Sequence, residues 1–150
     1  MSADDPIAPK SLTSGIMEAM NLLESSMETI HGVAASHPEI RALYIFGSQS
    51  TGHAGPGSDL DLGVLYRTPQ PLAETLMLEQ AFERAVGRNV DLIDVARARA
   101  FLALDIVRGD RIFCRAPADA DRFELYVLRR AGDLLPFERQ RRALLMSTRG

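Results

Sequence analysis

Residues 46–66 read FGSQSTGHAGPGSDLDLGVLY, and their residue types and spacing suit the handling of phosphate with a divalent cation. Ten residues separate Gly47-Ser48 from Asp59, and Asp61 follows two positions on. A glycine lets backbone N–H groups approach a phosphate with no Cβ in the way, and the Ser48 hydroxyl adds a donor to the same oxygens. Asp59 and Asp61, two apart on a strand, point to one face while Leu60 and Leu62 point to the other. At ~3.3 Å rise per residue their Cα atoms lie roughly 6.5 Å apart, so each carboxylate can hold one ion of a ~3.5–4 Å metal pair, or one can bridge both. Oxygen ligands and a phosphate substrate favour Mg²⁺ or Mn²⁺ over zinc. Such a site wants a third carboxylate, and VDLIDV at 90–95 offers Asp91 and Asp94. Three apart on a regular strand, these two face opposite ways. Asp91 is the choice, because Asp94 suits the cap of the helix that follows. Taken singly, a Gly-Ser after a strand and an Asp pair before one are turns. Their joint occurrence in a strand–loop–strand setting is what points to chemistry.

The elements that must position these residues follow from turn chemistry and periodicity. RALYIF at 41–46, ended by Gly47, reads as a buried strand, and LDLGVLY at 60–66 as a second. The uncharged SQSTGHAGPGS between them is a loop, with room for one helical turn. Upstream, Ile16, Met20, Leu23, Met27, Ile30 and Ala34 recur at spacings of four and three, which predicts a helix over about 12–36. Ser11 or Thr13 would cap it, Pro38 lies past its end, and its stripe is expected to pack on the sheet. Downstream, a helix is expected over 71–86, with Pro71 at its first position, Gly87 after its end, and Leu78, Phe82 and Ala85 on one face. VDLIDV is a third strand, and Val95, Ala98, Leu102 and Ile106 mark a helix that Gly109 stops. RIFC at 111–114 forms a fourth strand, and Asp119 or Asp121 opens a helix to about 131. Pro136 then kinks the chain or starts another helix, within a C-terminal helical segment over about 119–146. The pattern is an α/β (α+β) domain, a small mixed β-sheet flanked by helices.

With 150 residues, 46% hydrophobic and 25% charged, the chain reads as one domain over 1–150 rather than a disordered or collagen-like one. The single Cys114 has no disulfide partner, and neither it nor His31 or His37 has companions at metal-ligand spacing. A reducing, cytoplasmic setting is expected. MSADDPIAPK lacks the basic start of a secretory signal, and no 18-residue apolar run is present to span a membrane. The net charge of −3 gives no general pull toward nucleic acid, so no direct nucleic-acid contact is expected. Residues 115–150 carry a local +3 and the remainder −6, an acidic front and a basic tail. Arg139, Arg141 and Arg142 in that tail read as a solvated helix face, His53 as a surface histidine, and Tyr44 and Phe46 as core rather than a base-stacking platform.

Gly47-Ser48 followed after ten residues by Asp59-Leu60-Asp61 resembles the signature of the DNA polymerase β-like nucleotidyltransferase superfamily. The short chain and the downstream VDLIDV are similar to its minimal nucleotidyltransferase (MNT) branch. The motif match covers about residues 41–66, and Asp91 falls where the family's third carboxylate is expected. The resemblance implies a polymerase β-like fold, with Gly47 and Ser48 on nucleotide phosphates, Asp59 and Asp61 on two Mg²⁺, and Asp91 as third ligand or base. Members of that branch commonly act as antitoxins of HEPN-domain RNase toxins. The implied reaction is therefore transfer of AMP from ATP to a Tyr hydroxyl of a cognate HEPN toxin, with release of pyrophosphate and the two proteins in a hetero-oligomer. An added phosphodiester brings negative charge and bulk to a site meant for RNA phosphates, which would silence it. Two other readings use the same residues. One is a small-molecule transferase like those that modify aminoglycosides, against which the short length counts. The other is a non-catalytic antitoxin that neutralises by binding, against which the full carboxylate set counts.

Overall fold

The two apolar segments flanking the glycine-rich loop form the middle of a four-stranded sheet in the computed structural model, which describes residues 17, 24–47 and 59–147. β1 (Ile40–Phe46) and β2 (Leu60–Tyr66) pair antiparallel, and β4 (Asp110–Cys114) adds antiparallel to β1. β3 (Val90–Asp94) adds parallel to β2, giving the order β3-β2-β1-β4. A parallel neighbour needs a crossover, and α2 (Leu72–Val86) supplies it. Gly87 ends that helix in the left-handed conformation, with φ 73°.

Strand alternation sorts the side chains into two cores. Leu43 and Ile45 of β1, Leu60, Leu62 and Val64 of β2, and Leu92 of β3 pack with Ile30 and Ala34 of α1 (residues 24–35) and with Leu78 and Phe82 of α2. On the opposite face, Ala42, Tyr44, Phe46 and Leu65 pack with Ala103 and Ile106 of α3 (Ala100–Val107) and with Ala120 and Val127 of α4 (Pro117–Ser147). Each fully covered side chain such as Phe82 or Leu62 contributes roughly 1.5–3 kcal/mol by leaving water. Gly63 lets the second layer come close, since a Cβ there would run into Ile106 and Val95. The Tyr44 hydroxyl donates to Glu124 of α4 at 2.7 Å, and burial and that bond hold its phenol above its usual range.

Side chains also finish backbone that the sheet and helices leave open. Arg115, just past β4, donates to the carbonyls of Ala34, Ala35 and His37 at the end of α1 and of Ile40 at the start of β1. One guanidinium thus adds charged hydrogen bonds at a helix C-terminus and ties it to the sheet. On the β3 edge, Glu79 of α2 accepts from the Leu92 N–H at 2.8 Å.

Several local expectations need correction. β1 begins at Ile40, and Pro71 sits at the N-cap of α2, not inside it. Asp94 caps a short 3₁₀ turn, Val95–Arg97, and the chain is extended at Ala98 and Arg99 before α3 starts. The run of Val95, Ala98, Leu102 and Ile106 is therefore not one helix. Leu102 is exposed, and α3 buries Ala100, Ala103 and Ile106 instead. α4 starts at Pro117 rather than at Asp119 or Asp121, and it continues through Pro136 to Ser147 without a break. Proline is favoured at a helix start, where its missing N–H is no loss. Pro136 removes only the bond to the carbonyl of residue 132, and the remaining turns carry the helix past it. The caps Ser11 and Thr13, the upstream Ile16, Met20 and Leu23, and the loop 48–58 lie outside the described residues.

Candidate active site

β2 and β3 bring the three aspartates to one place. In the parallel register Leu60 stands opposite Val90, which puts Asp61 directly opposite Asp91. Register partners share a face, and Asp59, two residues before Asp61, shares it by strand parity. Asp59 precedes β2 and is exposed, Asp61 is half-buried, and Asp91 is exposed. All three lie on the face that α3 and α4 cover further along. That cover stops short of them, since Ile106 closes over Gly63, the next position on that face of β2. Asp94 faces away, accepting from the Ala96 N–H at 3.1 Å and standing 3.7 Å from Arg97. A cavity of about 280 Å³, lined by Tyr66, Arg67, Asp94 and Arg97 among others, lies at the far end of β2 and is separate from the carboxylates.

Charge and space at this end of the sheet both centre on Asp61. Burial raises its carboxyl above the usual range, and the negative fields of Asp91 and then Asp59 raise it further. Three such groups held together favour a cation among them. On the other side of Asp61, the antiparallel register sets Phe46 opposite it, and Gly47 follows with φ 72°. A Cβ at Gly47 would lie 2.5 Å from Asp61 Oδ2. Glycine is needed there for its left-handed backbone and for the room it leaves the carboxylate. The sequence suggested only the approach of phosphate to Gly47. Its clearance of Asp61 depends on the β1–β2 register, which becomes readable once Phe46 is paired with Asp61.

The donor set is all carboxylate oxygen, which fits a hard divalent cation such as Mg²⁺ or Mn²⁺. Among the described residues no three His, Cys, Asp or Glu side chains stand close enough together to hold a metal ion between them. Ser48 and His53 lie outside the described residues. Tyr44 and Phe46 are buried in the core, as expected. Among the described residues no helix is long and apolar enough to cross a membrane.

The family model described as Polymerase beta, Nucleotidyltransferase matches residues 28–118, which contain all four strands of the described residues and all three aspartates. Among solved structures, a chain of a toxin–antitoxin complex with AMP-PNP superposes with a TM-score of 0.66 at 22% identity, over 83% of this chain and 98% of that one. A chain of the MntA-HepT toxin–antitoxin gives 0.63 at 19% identity, over 83% and 97%. A complex of a tri-AMPylated Shewanella oneidensis HEPN toxin with its MNT antitoxin gives 0.63 at 20%, again over 83% and 97%. At these identities the likeness is one of fold. No curated protein matches the chain by sequence.

Proposed function

Because the chain belongs to the polymerase beta nucleotidyltransferase family, we propose that Asp59, Asp61 and Asp91 form the site at which it moves AMP from ATP onto a tyrosine hydroxyl of a HEPN-type toxin, acting as that toxin's antitoxin. The observation that carries this reading is the register of Asp61 against Asp91, with the Asp59 charge near enough to act on Asp61. The partner and the nucleotide are supported by the solved complexes of the same fold, one with AMP-PNP and one whose toxin carries AMP.

In this mechanism Asp59 and Asp61 would hold divalent cations, with Asp91 as a further ligand or as the base. A cation bound there supplies Lewis acidity, lowering the pKa of an oxygen nucleophile and neutralising charge on the triphosphate. The Gly47 backbone and the Ser48 hydroxyl orient the triphosphate at the end of β1. The tyrosine oxygen attacks the α-phosphorus in line, its new P–O bond forms as the bond to the β-phosphate breaks, and pyrophosphate leaves. In its role as base, Asp91 receives the hydroxyl proton.

The test is pyrophosphate release from ATP by the full chain with Mg²⁺ and a HEPN-type toxin, beside Asp61→Asn. Release that depends on the toxin and is lost in the variant supports the reading. Equal release by the variant overturns the site.

A further inference from the structure

α4 continues well beyond the domain it starts on. Its last buried side chain is Ala131, yet the helix runs to Ser147. Along this projecting half, Leu134 is 40% exposed, Phe137 and Leu144 67%, and Leu145 54%. Helical stability in proteins comes mostly from packing an apolar face, and this half of the helix buries no side chain on the domain.

The pattern of the exposed half is specific. The line through the buried Val127 and Ala131 continues through Leu134, Glu138, Arg141 and Leu145, at alternating spacings of three and four. Pro136 falls half a turn away from that line, so its ring stays off it. The stripe is symmetric in type, Leu and Glu in one direction mirrored by Leu and Arg in the other. Two copies laid antiparallel about a two-fold axis between residues 139 and 140 set Leu134 of each against Leu145 of the other. The same axis sets Glu138 of each against Arg141 of the other. A two-fold interface requires this kind of self-complementarity. Within one helix Glu138 already accepts from Arg141 at 2.9 Å and Arg142 at 3.2 Å, so pairing two copies joins two ion pairs into one network. Phe137 and Leu144 flank the stripe on one side and widen its apolar area. Residues 132–147 carry three Arg against one Asp and one Glu, a net +1 that gives two copies little to repel.

We propose that the projecting half of α4 is a self-association surface, on which a second copy of this chain docks antiparallel. The inference stands on the helix and is independent of the chemistry assigned to the aspartates.

The test is the mass of the full chain in solution, by sedimentation equilibrium over a broad micromolar range. About twice the 16.5 kDa of one chain is expected at the upper end, and the mass of one chain for Leu134→Glu/Leu145→Glu. Glu138→Arg alone and Arg141→Glu alone should each weaken association at least tenfold, and the double swap should restore it. Circular dichroism melting of each variant checks that the domain still folds. In a Cys114→Ser background, Leu134→Cys and Leu145→Cys chains should form a disulfide with each other on mixing. A single-chain mass for the natural sequence throughout, a dimer that survives Leu134→Glu/Leu145→Glu, or cross-linking of like with like would overturn the proposal. Association of only the mixed heterocomplex with another protein would overturn it as well.

Discussion

Asp61 and Asp91 are register partners on neighbouring parallel strands, and their carboxylates share one face at an open end of the sheet. Two like charges set opposite each other destabilise a sheet. The pairing therefore carries a cost that a purely structural position would not bear, and it yields several checks.

The first concerns pH. Burial and the fields of Asp91 and Asp59 hold the Asp61 carboxyl above its usual range. The fold then binds that proton more tightly than the unfolded chain does. Stability falls as pH rises from the ordinary carboxylate value through the raised one, and at neutral pH the ionised group costs the fold free energy. Asp61→Asn should therefore melt higher than the natural sequence at pH 7, with the gap closing as pH drops toward the ordinary carboxylate range. Thermal melts across that range check it.

Cation binding should reverse the cost. A ligand that binds only the folded state at about 100 times its Kd adds ~2.7 kcal/mol, worth several degrees in a domain this size. Mg²⁺ or Mn²⁺ is expected to raise the melting temperature of the natural sequence and to leave Asp59→Ala/Asp61→Ala unmoved. Calorimetric titration with Mn²⁺ gives the same answer directly.

Gly47 and Gly87 make a matched pair of probes. Their φ angles are 72° and 73°, but a Cβ at Gly47 meets Asp61 while nothing lies within 4 Å of one at Gly87. Alanine at either should cost roughly 1–2 kcal/mol of stability through the left-handed backbone. Only Gly47→Ala should also lower nucleotide transfer, by about 100-fold for a carboxylate displaced on the order of 1 Å. Equal activity in the two variants would mean that Gly47 has no part in placing Asp61.

Arg115 carries a check on the fold. Its guanidinium serves four carbonyls, at Ala34, Ala35, His37 and Ile40. Arg115→Ala should cost about 2–3 kcal/mol in urea unfolding, and Arg115→Lys should recover little of it, since a point charge cannot reproduce the fork.

The sheet and the aspartates were legible because period-two alternation and turn chemistry act locally. Leu60, Leu62 and Val64 had one face to fill, which fixed Asp59 and Asp61 on the other, and Asp94 betrayed its capping role by its position before Val95. What escaped was set by contacts distant in sequence. The clearance that Gly47 leaves for Asp61 is readable only once β1 and β2 are paired, and Gly63 gives no sign of the Ile106 that packs over it. Arg115 gives no local signal, because its partners lie some 80 positions earlier. Pro136 reads as a kink or the start of another helix, yet one missing bond does not outweigh the turns on either side of it.

Group transfer onto a protein is the reaction proposed for the Asp59–Asp61–Asp91 site. It is tested most directly by intact-mass spectrometry of a HEPN-type toxin after incubation with this chain, Mg²⁺ and ATP, beside the Asp59→Ala/Asp61→Ala variant. A mass gain of one or more AMP units on a tyrosine, absent with the variant, is the expected result. An unmodified toxin in stable complex with the chain, or the same gain with the variant, would contradict it.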